Sequence, residues 1–313
     1  MFNADSALIS TVPLQQNQGF PMLVNQTERC SSFHRQWKGR SCLIIDCSDL
    51  TILLLGLAFY CFCLIGIPWR VFQMCKIGTK GLILRIFTPT IILSLSYLLL
   101  GHFCNIPHIL LFCILGTVIL VPVELGVILS ASKKENGVYS LKSAFTVHEK
   151  LPLWKILIIA FILFGIAGLL SVFAAPLENR IFAEIRTALL NHLPTGFDWT
   201  NYEYIKSFSK PIRILTCIYY GIFNVLIGPI TEELFFRGYL TSHYKKQSTF
   251  LPILIAILFS VYHFWLPFNN VFRILVFVPA AYVAYKKKNL YISLYFHCLC
   301  NLFSVVSFVV AVL

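Results

Sequence analysis

Acidic side chains are scarce: Asp and Glu together number 13 in 313 residues, and residues of either charge make up 12% of a chain that is 58% hydrophobic. A soluble domain carries about a quarter charged residues, so an aqueous globule is excluded. Past residue 48 there is no long polar stretch, which excludes a separate soluble catalytic domain. Zinc-finger CxxC spacing and an HExxH pair are both missing, as are internal repeats and low-complexity tracts. The opening residues lack the basic, apolar, small-residue order of a cleavable signal peptide.

Long apolar runs are what the sequence does have. Several reach the roughly 20 residues that a helix needs to cross a hydrocarbon core of about 30 Å. Eight spans are expected, near 50–69, 84–101, 107–131, 153–175, 211–240, 250–267, 271–285 and 290–312. The expected fold is therefore an all-α polytopic transmembrane bundle. A polar N-terminal arm covers residues 1–48 and a transmembrane domain covers 49–313.

The net charge of +12 falls in short clusters between spans and along no single face, so nucleic-acid binding is not expected. Arg70, Lys76 and Lys80, then Lys133 and Lys134, Lys245 and Lys246, and Lys286 to Lys288 occupy alternate loops. Basic loops mark the cytoplasmic side, which predicts both termini outside. Arg29, Arg35, Lys38 and Arg40 in the arm argue the other way. The connection from Pro176 to about Lys210 falls on the outer side, either as an amphipathic surface helix with a loop or as a plain connector.

Most of the 11 cysteines lie inside apolar runs, as in Cys61, Cys63, Cys298 and Cys300, where a thiol behaves as a small hydrophobe. No disulfide framework is expected, although Cys30, Cys42 and Cys47 in the arm are able to pair in an oxidising compartment.

Ionisable groups in hydrocarbon are costly, so each one inside a span is a functional candidate. Arg85 and Arg213 lie near span ends, where a long side chain reaches the interface. Glu124 is deeper and lacks an obvious partner, leaving open a helix-packing hydrogen bond or a further role. The rest concentrate in three segments: Thr231-Glu232-Glu233-Leu234-Phe235-Phe236-Arg237, Phe259-Ser260-Val261-Tyr262-His263, and His297-Cys298-Leu299-Cys300-Asn301.

Neighbouring helical positions point about 100° apart, while residues four apart share a face. Glu233 is thus placed to pair with Arg237, and Glu232 is left for another purpose, suited to a carboxylate that takes and returns protons. His297 and Asn301, also four apart, offer two hydrogen-bonding groups suited to an oxyanion. His263 taken alone reads as a packing residue. Measured from the nearest basic loop, Glu232, His263 and His297 lie roughly 20, 25 and 14 Å deep, so one pocket entered from the cytoplasmic side is able to hold them. Gly228-Pro229 is expected to kink span five and free a carbonyl.

Glu-Glu-x-x-x-Arg, Phe-x-x-x-His and His-x-x-x-Asn, in that order within residues 211–305, resemble the motifs of the CAAX-processing and bacteriocin-processing intramembrane protease family, to which the Ras-converting endoproteases are related. The resemblance implies an intramembrane glutamate-type endopeptidase. Glu232 and His263 would activate the attacking water, His297 and Asn301 would hold the oxyanion, and Glu233 and Arg237 would support the site. It implies a peptide or membrane-associated protein substrate, no cofactor and no metal, although two His and two Glu also allow a zinc reading. Prenyl-protein processing, bacteriocin maturation and self-immunity all remain open as roles. Short loops suggest a bacterial cell membrane, with the site open to the cytoplasm. Two other classes compete: a non-catalytic membrane scaffold or immunity protein, and a proton-coupled transporter, whose folds often show repeats that are absent here.

Overall fold

A computed structural model describes residues 76–313. The expected arm, the span at 50–69, the six cysteines before residue 76 and the basic residues up to Arg70 lie outside the described residues. Within them every regular element is helical, and β pairing is confined to two isolated bridges. The helices are α1 (Thr79–Gly101), α2 (His108–Asn136), α3 (Leu153–Ile181), α4 (Ala183–Leu190), α5 (Tyr202–Lys206), α6 (Lys210–His243), α7 (Leu251–Val261), α8 (Asn270–Lys286) and α9 (Leu290–Val312). Six of them, α1, α2, α3, α6, α8 with its preceding turn, and α9, are long and apolar enough to cross a membrane.

The bundle is an all-α integral membrane fold, as expected. Leu153, Trp154, Ile158, Phe161, Ile162, Leu169, Val172 and Phe173 of α3 are all exposed. So much contiguous apolar surface is at home in lipid and not in water. Short connections alternate the helices between two ends. At one, Ile77 bridges to Tyr244 and Val147 to Asn289, His243 pairs with Glu135 at 3.2 Å, and the His148 N–H donates to the Lys288 carbonyl at 2.9 Å. These contacts gather the basic loops around Lys76, Lys133, Lys245 and Lys288 on one side. At the other end, Trp199 Nε1–H donates to the Tyr97 hydroxyl at 2.8 Å and Arg213 Nη1 donates to the Val312 carbonyl at 2.7 Å.

Prolines leave a mark inside two of the spans. Pro122 and Pro229 each follow a widened π-helical turn, Gly116–Leu120 in α2 and Phe223–Ile227 in α6. A proline has no N–H and its ring collides with the carbonyl four residues back, and a local π turn relieves both. The carbonyl that Gly228-Pro229 is expected to free is found at Asn224, where it accepts from Asn301 Nδ2 at 2.7 Å. A second π segment, Glu233–Leu240, follows directly. It packs so closely on the turn at 142–144 that a Cβ at Gly238 would collide with the Ala144 carbonyl.

Three expectations need correction. The span at 250–267 is a helix only over Leu251–Val261, 11 residues. Its last carbonyls are taken by side chains: Phe259 by His263, Ser260 by Arg273 and Tyr262 by Thr90. Leu266, restricted by Pro267, then sits at φ −134. The span at 153–175 runs on through Pro176 to Ile181, because Glu178 is buried and accepts from the backbone N–H groups of Val271 and Phe272 at 3.0 and 2.7 Å, pinning α3 to the start of α8. Arg85 does not reach the interface: it lies nearly two turns inside α1, is 1% exposed, and donates from Nη1 to the Gly81 carbonyl at 3.0 Å.

Candidate active site

The three polar segments converge. The turn of α6 between its two π segments ends in Glu232, and Glu233 opens the second of them; Tyr262 and His263 directly follow α7, and α9 carries His297. Phe235, Phe236, Phe259, Tyr262 and Phe296 are almost wholly buried around them. Lipid tails are as apolar as leucine, so helices in a membrane are held by close packing and interhelical hydrogen bonds. This ring packing sets the spacing of the polar groups.

Glu233 and Arg237 pair at 3.3 Å across one helical turn. The guanidinium also lies over the Phe259 ring, 4.2 Å from its centroid, a cation–π contact strengthened by desolvation. Glu233 Oε1 faces His297 Nδ1 as well, at 3.0 Å. Glu232, one position earlier, points elsewhere. Its Oε1 accepts from the Tyr262 hydroxyl at 2.6 Å and lies 4.0 Å from His263 Nε2, while its Oε2 lies 3.6 Å from His297 Nε2. His297 therefore bridges the two glutamates.

Hydrogen-bond bookkeeping restricts the imidazoles. His263 Nδ1 faces the Phe259 carbonyl at 2.7 Å, and a carbonyl only accepts, so Nδ1 carries the proton and Nε2 presents a lone pair toward Glu232. With Nδ1–H of His297 given to Glu233, its Nε2 carries a proton only in the imidazolium form. In that form Glu232, Glu233, Arg237 and His297 sum to zero charge, the condition under which buried ions are tolerated. Asn301 stands one turn beyond His297, with one amide N–H on the Asn224 carbonyl and the second not committed by that bond. Among the described residues, no group of three or more His, Cys, Asp or Glu side chains is arranged to hold a metal ion.

Residues 214–303 match the family model described as type II CAAX prenyl endopeptidase, Rce1-like. This segment is similar to the CAAX-processing protease family. No curated protein and no solved structure gives a match. The matched segment runs from α6 to α9 and contains all three motifs. The match supports a protease of the CAAX type generally, in a chain whose described residues include six helices long and apolar enough to cross a membrane.

Two participants escaped sequence reasoning, and a third, Glu124, was singled out by the sequence without a partner. Tyr262 stands beside His263 in the motif, yet nothing in the sequence marks its hydroxyl as the partner of Glu232. Arg273, in the apolar start of α8, interacts electrostatically with Glu232 and Tyr262. An arginine inside a span was the available signal. Glu124 of α2, fully buried, lies beside Tyr262 and Glu232. A cavity of about 310 Å³ opens among the basic loops, lined by His148, Lys286 and Lys288, and extends to Arg237.

Proposed function

We propose that the protein is a glutamate-type intramembrane endopeptidase in which Glu232 and His263 activate water. The observation that carries this reading is the 4.0 Å separation between Glu232 Oε1 and His263 Nε2. A water molecule about 2.8 Å from each acceptor donates one hydrogen to each across such a gap. As the water oxygen attacks the scissile carbonyl, Glu232 takes its proton. His297 Nε2–H and the second amide hydrogen of Asn301 stabilise the tetrahedral oxyanion. Collapse breaks the C–N bond, and Glu232 returns the proton to the leaving nitrogen. Glu233 and Arg237 hold His297 in its donor form. The peptide enters through the cavity beside Arg237, from the end where the basic loops gather, which by the charge rule is the cytoplasmic side.

Cleavage of a peptide library by the full chain in detergent tests this. Glu232→Gln and His263→Ala are each expected to lose about 10²- to 10⁴-fold in kcat, with wild-type activity surviving a chelator. Loss on chelation would assign the chemistry to a metal. Unchanged cleavage by Glu232→Gln would sink the mechanism, and full biological effect of that variant without any cleavage would favour the scaffold.

A further inference from the structure

Four glutamates are buried in the described spans, and three have evident partners. Glu178 holds two backbone N–H groups, Glu232 holds the Tyr262 hydroxyl, and Glu233 holds Arg237 and His297. Glu124 is 0% exposed and neither of its carboxyl oxygens makes a hydrogen bond. Yet it is not remote from the chemistry. The α2 segment that begins at Val121 packs against the site-bearing part of α6, and the carboxyl lies beside the Tyr262 hydroxyl, within electrostatic reach of Glu232.

The tyrosine settles what that carboxyl is able to do. A phenol has one proton and two lone pairs, and the Tyr262 proton is committed to Glu232 Oε1 at 2.6 Å. Toward Glu124 the same oxygen offers only lone pairs. An ionised Glu124 would meet them as a second acceptor and compete with Glu232 for the phenolic proton. A protonated Glu124 donates to them, and the tyrosine remains a donor to Glu232.

We propose that Glu124 is a positioning residue, carried as the neutral acid, whose O–H donates to Tyr262 so that Tyr262 in turn holds Glu232 in its reactive orientation. The Glu124 proton stays in place throughout the reaction. The charged and titratable groups around this chain are Arg273 from α8, Glu232, Glu233 and Arg237 from α6, His263 beside Tyr262, and His297 from α9. Of these, Arg273 and Glu232 act directly on Tyr262. The proposal rests on the reading of Glu232 as the proton acceptor.

Two measurements on the full chain in detergent test it. Infrared difference spectroscopy at neutral pH is expected to show the C=O stretch of a protonated carboxyl that disappears in Glu124→Gln and shifts in Tyr262→Phe. In peptide cleavage, kcat is expected to fall about tenfold in Glu124→Leu with KM unchanged, to be largely restored by the donor amide of Glu124→Gln, and to fall no further when Glu124→Leu is added to Tyr262→Phe. A band that persists in Glu124→Gln, or that ignores Tyr262→Phe, overturns the pairing. Additive losses overturn the positioning role. A wild type that cleaves nothing overturns the peptidase reading, whereas the infrared band decides the Glu124–Tyr262 pairing independently of turnover.

Discussion

His297 is held on both sides by carboxyl groups, and Glu233 is held by the Arg237 guanidinium and the His297 imidazole. Removing one member of such a cluster leaves an uncompensated buried charge, a larger cost than replacing a pair together. Arg237→Met is therefore expected to destabilise the folded protein by about 3 kcal/mol, and Glu233→Gln combined with Arg237→Met to recover most of that. Thermal unfolding in detergent measures both, and a double variant no more stable than Arg237→Met would contradict the account. Within one helix this pairing was legible, because four residues bring side chains to the same face. Glu232 was legible only by elimination. Its partners Tyr262, His263 and His297 come from two other helices, and nothing in the spacing along α6 specifies them.

At the scale of elements, prolines and buried caps decide where helices bend and stop. The freed carbonyl expected from Gly228-Pro229 became a specific clasp, Asn301 onto Asn224, joining α9 to α6 behind the site. The connection assigned to begin at Pro176 instead continues α3 by another turn. Glu178 does this by capping α8 from outside, accepting N–H groups that its first turn leaves unpartnered. Glu178→Ala is expected to cost about 1–2 kcal/mol, by analogy with the loss of a good N-cap. Hydrogen exchange at Val271 and Phe272 should rise with it. Unchanged protection there would mean that the cap contributes nothing. No local sequence rule marks Glu178 as a cap, because its partners lie more than 90 positions away.

For the whole molecule, the gathering of basic loops at one end predicts a sidedness that is open to direct measurement. Single cysteines introduced at Lys246 and at Asn191 in a cysteine-free background should be labelled by a membrane-impermeant thiol reagent from opposite faces of oriented vesicles, Lys246 from the cytoplasmic face. Labelling of both from one face would refute the alternation of spans. The short helix α7 suits this arrangement. It starts among the basic loops and ends at Val261, two residues before His263, so it reaches the site without crossing the bundle.

Apolar composition alone required helices, since a backbone in hydrocarbon must satisfy its own hydrogen bonds. Fixed helical periodicity likewise determined the pairing of Glu233 with Arg237 and the shared face of His297 and Asn301. Which helices become neighbours was left to the tertiary structure. In water an amphipathic stripe announces the buried face of a helix, but in lipid both faces are apolar, and the inward one is selected by packing shape and a few hydrogen bonds. For that reason His263, which alone reads as a packing residue, lies 4.0 Å from Glu232. For the same reason the Tyr262 hydroxyl, unremarked within its own segment, and the Glu124 carboxyl, noted there without a partner, stand together beside the same glutamate.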